Sequence, residues 1–271
     1  VVIEQELARI YEAIRARALA EGSPVALRHV VQVCQEVLAA DGVGVRLKER
    51  FGLGEPAYAT DPRAERVLEL QITVGEGPGL TALRRRFAVL SAELDEPRRF
   101  RQWPLFAPAV VEEGLRAVFA FPLATGAASL GVLEIYRESP HSLTDGELDL
   151  ALTMVQVVTG HLLARVALTA SGEAEAIVDE RLYRRWRTVH SATGMAAAQL
   201  GCPVAEASLR LRAYAYVSGR RLSEVADDVV AGVLRLPPDH PSWQHDDDRD
   251  KNDADDRGDE SHGGESGRHP E

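Results

Sequence analysis

Apolar residues recur at steps of three and four over residues 2–19, where Ile3, Leu7, Ile10 and Ile14 form one stripe, and again over 26–39. Both segments are predicted as amphipathic helices. The spacing then changes. Short apolar runs at 43–47, 88–90, 118–123 and 130–136, each bounded by glycine, proline or charge, are predicted as strands. Gly126 lies between the last two and lets them close as a hairpin. Few strands with helices around them predict an α+β fold on a largely antiparallel sheet.

A helix start follows in Leu143-Thr-Asp-Gly-Glu-Leu148. Thr144 can cap the amide of Glu147 while Glu147 reaches back to Thr144, and Leu143 can pack on Leu148, a capping box with its hydrophobic staple. Leu148, Leu152, Val155, Leu162 and Val166 then make a stripe that Val157, Val158 and Leu163 widen. A helix so long and apolar packs on its own sheet or pairs with a second chain, and self-association is expected. After Ser171-Gly172, three shorter helices are predicted. The first buries Leu182, Trp186, Val189, Thr193, Ala196, Ala197 and Leu200 and points Arg181, Arg184, Arg185 and Arg187 elsewhere; Gly201 ends it, and Pro203 suits the first turn of the second. The second lines up Val204, Ala207, Leu211, Tyr214 and Ala215, and the third buries Leu222, Val225, Ala226, Val229, Val230 and Val233. Such a small bundle needs support from the preceding helix or from a dimer.

Charge divides the chain further. Of the net −11, residues 237–271 contribute twelve acidic against four basic residues; this segment opens with Pro237-Pro238, has few apolar residues and is expected to be a disordered acidic tail. His240, His245, His262 and His269 are read as part of that solvated tail rather than as a metal site. Residues 178–236 hold nine arginines against six acids, the one compartment suited to a polyanion. The predicted divisions are therefore 1–170, 171–236 and 237–271. No run approaches the roughly 20 continuous apolar residues of a membrane span, and the first residues lack the apolar core of a secretory signal. A cytoplasmic location without membrane association is expected.

Thr193-Gly-Met-Ala196, Leu200-Gly-Cys202, Ala207, Leu211-Arg212 and Arg221-Leu-Ser-Glu-Val-Ala226 resemble, in order and spacing, the ANTAR domain, the three-helix RNA-binding module of bacterial transcription antitermination regulators. Thr193 stands where that pattern has lysine and Ser208 where it has an aromatic. Upstream, Ala59-Thr-Asp-Pro-Arg-Ala64, Gln71-Ile-Thr-Val-Gly-Glu-Gly-Pro-Gly79, Arg101-Gln-Trp-Pro-Leu-Phe106, Phe119-Ala-Phe-Pro-Leu123 and Gly131-Val-Leu-Glu-Ile-Tyr136 resemble the GAF domains that precede ANTAR modules in actinobacterial regulators. The resemblance implies a GAF-like sensor with a connecting helix over 1–170 and an ANTAR-like bundle over 171–236 that binds hairpins in nascent leader RNA.

Binding RNA needs cations for phosphates and stacking surfaces for unpaired bases. The candidates are Arg184, Arg187, Thr193, Arg212, Tyr216, Arg220 and Arg221. Arg220 and Arg221 precede the third helix, where the helix dipole favours anions; a bound phosphate, or a nearby carboxylate, would explain them. Trp103, Phe106, Phe119, Phe121 and Tyr136 are candidates to line a small-molecule cavity in the GAF-like part, or they are core packing. Gly75-Glu-Gly-Pro-Gly79 lacks the Gly-Lys-Ser/Thr of a phosphate loop and is read as a turn. Cys34 and Cys202 form no metal knuckle, and neither a nucleophile elbow nor a catalytic dyad is present. No catalytic residue, metal or cofactor is therefore assigned, and a non-enzymatic regulator is expected. Its expected partners are leader RNA, an unidentified small molecule and a second copy paired through the connecting helix. The alternatives are a DNA-binding transcription regulator, or a ligand-sensing or protein-interaction module whose helical part no longer binds RNA.

Overall fold

The computed structural model describes residues 2–48, 54–170 and 179–237. The predictions for the Ser171-Gly172 connection and for the acidic tail beyond Pro237 fall outside these residues. The four predicted strands are present as β1 (Gly42–Leu47), β3 (Val89–Ser91), β4 (Ala117–Thr125) and β5 (Ala128–Arg137). A further strand, β2 (Glu55–Ala59), completes a sheet of order β2-β1-β5-β4-β3 in which every pairing is antiparallel. Its Pro56 hides it from propensity, since proline is tolerated only where one side of the ladder is free, and β2 is an edge. Gly126, with φ of 53°, turns β4 into β5 as expected.

The alternation along β1, β4 and β5 sorts side chains onto two faces. Val43, Val45, Phe119, Phe121, Leu133 and Ile135 pack with α1 (Val2–Ala20), α2 (Leu27–Val37) and α7 (Asp145–Ala170). Val118, Ala120, Val132 and Tyr136 pack on the other face with α3 (Pro62–Val74), α4 (Pro78–Arg85) and α6 (Phe106–Glu112). A short α5 (Pro97–Gln102) leads into Trp103 on that side. Helix α3 has clear local signals: Asp61 accepts from the amides of Arg63 and Ala64, Pro62 opens the first turn, and Gly75, with φ of 76°, ends it. Its apolar period is nevertheless obscured, because three of its buried positions are Glu65, Glu69 and Gln71.

The capping box of α7 forms as predicted: Thr144 N–H donates to Glu147 (2.7 Å) and Glu147 N–H to Thr144 Oγ1 (3.3 Å). Its buried face differs. Ala151, Met154, Val157, Val158 and Leu162 enter the core, whereas Leu152, Leu163 and Val166 stay exposed. An almost continuously apolar helix leaves its orientation to be decided by packing, and the small Ala151 allows close approach to the sheet domain. Residues 145–167 are long and apolar enough to cross a membrane by length and composition only, and within this structure the same helix packs its Ala151, Met154, Val157, Val158 and Leu162 into the core.

Beyond α7, α8 (Glu180–Leu200), α9 (Val204–Val217) and α10 (Leu222–Val230) form the three-helix bundle. Asp179 caps α8 by accepting from Arg181 and Leu182, and Gly201 ends it with φ of 64°. Trp186, Val189, Ala192, Ala196, Ala207, Leu211, Ala215, Leu222, Val225, Ala226 and Val229 share a core. Three expected core residues are exposed instead: Val204 at the start of α9, Val230 at the end of α10, and Val233 after the turn at Gly232; Leu182 is buried but outside this cluster. The support that a small bundle requires comes from the sheet domain. Ile72 of α3 enters the bundle core, and Asp179 N–H donates to Ala57 O of the edge strand β2 (2.9 Å).

Candidate functional site

The two acidic residues of α3 face the bundle, whereas its Arg63 and Arg66 pair with Glu138 and Glu113 of the sheet domain. Glu65 and Glu69 lie one helical turn apart and are almost fully buried. Arg221, which immediately precedes α10, donates through Nε to Glu69 Oε2 (2.8 Å) and through Nη2 to Glu65 Oε1 (3.1 Å). Glu69 Oε1 accepts from Ser223 N–H (2.7 Å), so a carboxylate of the sheet domain occupies the amino end of α10. Glu65 also pairs with Arg181 (2.6 Å) and Arg185 of α8. Burial, followed by the proximity of Arg221, lowers the pKa of Arg185 below the usual guanidinium value. At the other end of α3, Arg212 donates through Nε to Thr73 O (3.2 Å), one of the carbonyls a helix leaves free at its carboxyl end. Gly75 suits this position through its left-handed φ of 76°, and a Cβ there would lie 2.5 Å from Arg212 Nη2, so the guanidinium would have to move.

The seven residues expected to contact RNA therefore do not form one open face. Arg212 and Arg221 dock on α3. Arg220 donates to Asp228 Oδ2 (2.7 Å), an interaction that raises its pKa. Thr193 is buried, its hydroxyl donating to Val189 O (2.8 Å); together with Ser208 it lines a cavity of about 640 Å³ between bundle and sheet domain. Both departures from the ANTAR pattern thus line one inter-domain space. Tyr216 is exposed beside a second cleft, of about 390 Å³, flanked by Arg66, Glu113, Arg220 and Arg221. Arg184 and Arg187 are exposed on the outer side of α8, the first 3.8 Å from Glu180 and the second over the ring of Tyr183.

Within the sheet domain, the five aromatic candidates do not share a cavity. Phe119 and Phe121 belong to the face covered by α1, α2 and α7, whereas Trp103, Phe106 and Tyr136 belong to the opposite one. The pairing register decides this, because Phe119 is opposite Ile135 and Tyr136 is opposite Val118. Beneath α3 and α4 lies a polar cluster that the aromatic reading missed. Arg46 on β1 and Glu134 on β5 are fully buried and 3.4 Å apart; Glu134 also accepts from Gln71 Nε2 (2.5 Å) and Tyr136 OH (3.2 Å). Arg46 further donates to Leu68 O (2.8 Å) and Gly54 O (3.3 Å). Gln71 Oε1 accepts from the amides of Gly79 and Leu80, so the glycine-rich segment is a turn fastened to this cluster. Gly79 is needed for contact, as a Cβ there would lie 2.2 Å from Glu134 Oε1. A charge inside each of two otherwise apolar strands was the available sequence signal. Among the described residues, no group of His, Cys, Asp and Glu is placed to hold a metal ion.

The antiparallel sheet, closed by helices on one face and holding a buried polar cluster under α3 and α4 on the other, lies within the residues that a family of ligand-sensing or signalling modules matches. The family is the GAF domain, whose profile matches residues 24–162, and the chain belongs to it. Solved structures similar to it include the GAF domain of an Acinetobacter phosphoenolpyruvate-protein phosphotransferase (14% identity, TM-score 0.46, covering 63% of this chain and 98% of that one). The corresponding domain from Coxiella burnetii is 16% identical, with a TM-score of 0.44 over 60% of this chain and 98% of that one. A domain assigned to a two-component sensor histidine kinase protein of Sinorhizobium meliloti 1021 is 20% identical, with a TM-score of 0.44 over 54% and 93%. Comparison with curated proteins finds no match.

Proposed function

We propose that the chain is a signal-responsive RNA-binding regulator, in which the GAF domain senses a small molecule or partner and the α8–α10 bundle binds hairpins in nascent leader RNA to prevent termination. The observation that carries this reading is the inter-domain contact: Arg221, Arg181 and Arg185, the cations of a bundle that resembles an RNA-binding module, are held by one helix of the sensor domain. A change in α3 can therefore reach the output directly. The polar cluster under α3 and α4 ties the two helices together, because Gln71 connects Glu134 to the turn that starts α4. The protein acts without catalysis, in the cytoplasm, as a homodimer paired through the exposed Leu152, Leu163 and Val166 of α7.

Two-hairpin RNA and matched duplex DNA, titrated against the intact chain at several salt concentrations, test the reading. Hairpin preference with a steep salt dependence, weakened by Arg184→Ala/Arg187→Ala, is expected. Equal binding of duplex DNA would favour a DNA-binding regulator. One observation favours a different second reading, a sensing module that no longer binds RNA: Arg212, Arg221 and Thr193 all face the sensor domain. Binding of neither nucleic acid by any form of the chain would establish it.

A further inference from the structure

We propose that Arg181, Arg185, Arg221 and the backbone N–H of Ser223 form a phosphate-binding site of the helical bundle, which Glu65 and Glu69 of α3 occupy in this structure. Docking on the sensor domain and binding of phosphate then exclude each other. The biological source of the phosphate, an RNA backbone, rests on the function proposed above; the site itself does not.

Four donors from two helices converge on this position, and among the described residues every side-chain hydrogen bond and ion pair recorded for the two carboxylates comes from the bundle. Two like charges one turn apart on α3 weaken that helix when they have no partners. Their burial is thus a property of the docked arrangement. A tetrahedral phosphate offers acceptor directions that a planar carboxylate lacks, and the amide at the start of α10 favours an anion of either kind. The arginines can be reached from solvent: side-chain exposure is 57% for Arg181, 28% for Arg185 and 27% for Arg221, against 3% and 5% for Glu65 and Glu69. An incoming anion can displace the carboxylates one contact at a time, without unfolding either domain.

The test uses the full chain, its Glu65→Gln/Glu69→Gln variant and the same variant with Arg221→Ala, each titrated at fixed ionic strength with two-hairpin RNA and with inorganic polyphosphate. If the docked form holds about nine-tenths of the population, the Gln variant gains roughly tenfold in affinity for both ligands, and Arg221→Ala removes the gain. A gain for polyphosphate without hairpin preference supports the phosphate site and overturns the RNA reading. Equal binding by wild type and the Gln variant, or binding by neither, overturns the site. Should the Gln variant fail to fold, the wild-type chain still decides. Trp186 lines the inter-domain cavity, so polyphosphate must increase its quenching by acrylamide, with Trp186→Phe identifying the signal. Unchanged quenching overturns the proposal.

Discussion

Two clusters of arginine and carboxylate, both anchored on α3, differ in what surrounds them. Arg46 and Glu134 are wholly enclosed between the sheet and α3, and hydrogen bonds from Gln71 and Tyr136 complete the ring. Arg221, Arg185 and Arg181 meet Glu65 and Glu69 at a domain boundary, where the carboxylates are buried and the arginines keep contact with water. A charge with no route to solvent fixes a structure, since losing its partner leaves it uncompensated. A charge that can recover hydration, or another anion, is suited to exchange. The same helix therefore presents a fixed polar core on one side and a releasable contact on the other, with Gln71 and Glu69 only two positions apart.

This contrast fails if the two clusters respond alike to mutation. The largest effect is expected inside the sheet: Glu134→Gln should cost about 3–5 kcal/mol in urea denaturation, because it leaves Arg46 buried without its counter-charge. Glu69→Gln should cost much less, and a similar loss at both positions would remove the distinction. Next, Ile72→Ala should destabilise the bundle by about 2–4 kcal/mol, read as faster hydrogen exchange in α8–α10 with little change in β4 and β5. Gly75→Ala forces a left-handed backbone position to carry a side chain and displaces Arg212, so a loss of about 1–2 kcal/mol with weaker docking is expected.

The smallest effect lies away from both clusters. Thr144→Ala should cost about 1 kcal/mol through loss of the α7 cap. Glu147, bonded to the Thr144 amide and then to Arg137, has its pKa lowered from 4.5 to about 2. As its folded-state pKa is depressed, its contribution is present above pH 4.5 and disappears as the pH falls towards 2. Glu147→Gln should flatten that part of the acid-unfolding curve, whereas Thr144→Ala, which keeps the backbone amide and Arg137, should change it little.

Local signals in the sequence carried far. Thr144 and Glu147 marked the start of α7, Gly201 the end of α8, and Gly126 the hairpin between β4 and β5, because each position satisfies backbone groups without help from distant residues. The contact with α3 was less legible. Glu65, Glu69 and Gln71 are buried polar residues, so they interrupt the apolar period by which a helix is recognised; the partners of Glu65 and Glu69 lie 110 or more positions away in sequence, and Glu134, which meets Gln71, lies 63 away. Arg220 and Arg221 could be recognised as misplaced for a helix start, but whether a phosphate or a carboxylate compensates depends on tertiary structure. The structure divides the pair: Asp228 of α10 holds Arg220, and the sensor domain holds Arg221. The faces of Phe119 and Tyr136 likewise depend on strand register, which no single strand specifies.

The releasable contact is tested most directly by hydrogen exchange of the intact chain with and without two-hairpin RNA at constant ionic strength. Exchange in α3 should accelerate when RNA is bound, as Glu65 and Glu69 lose their partners, while β4 and β5 stay unchanged. RNA binding with α3 equally or better protected would contradict the account.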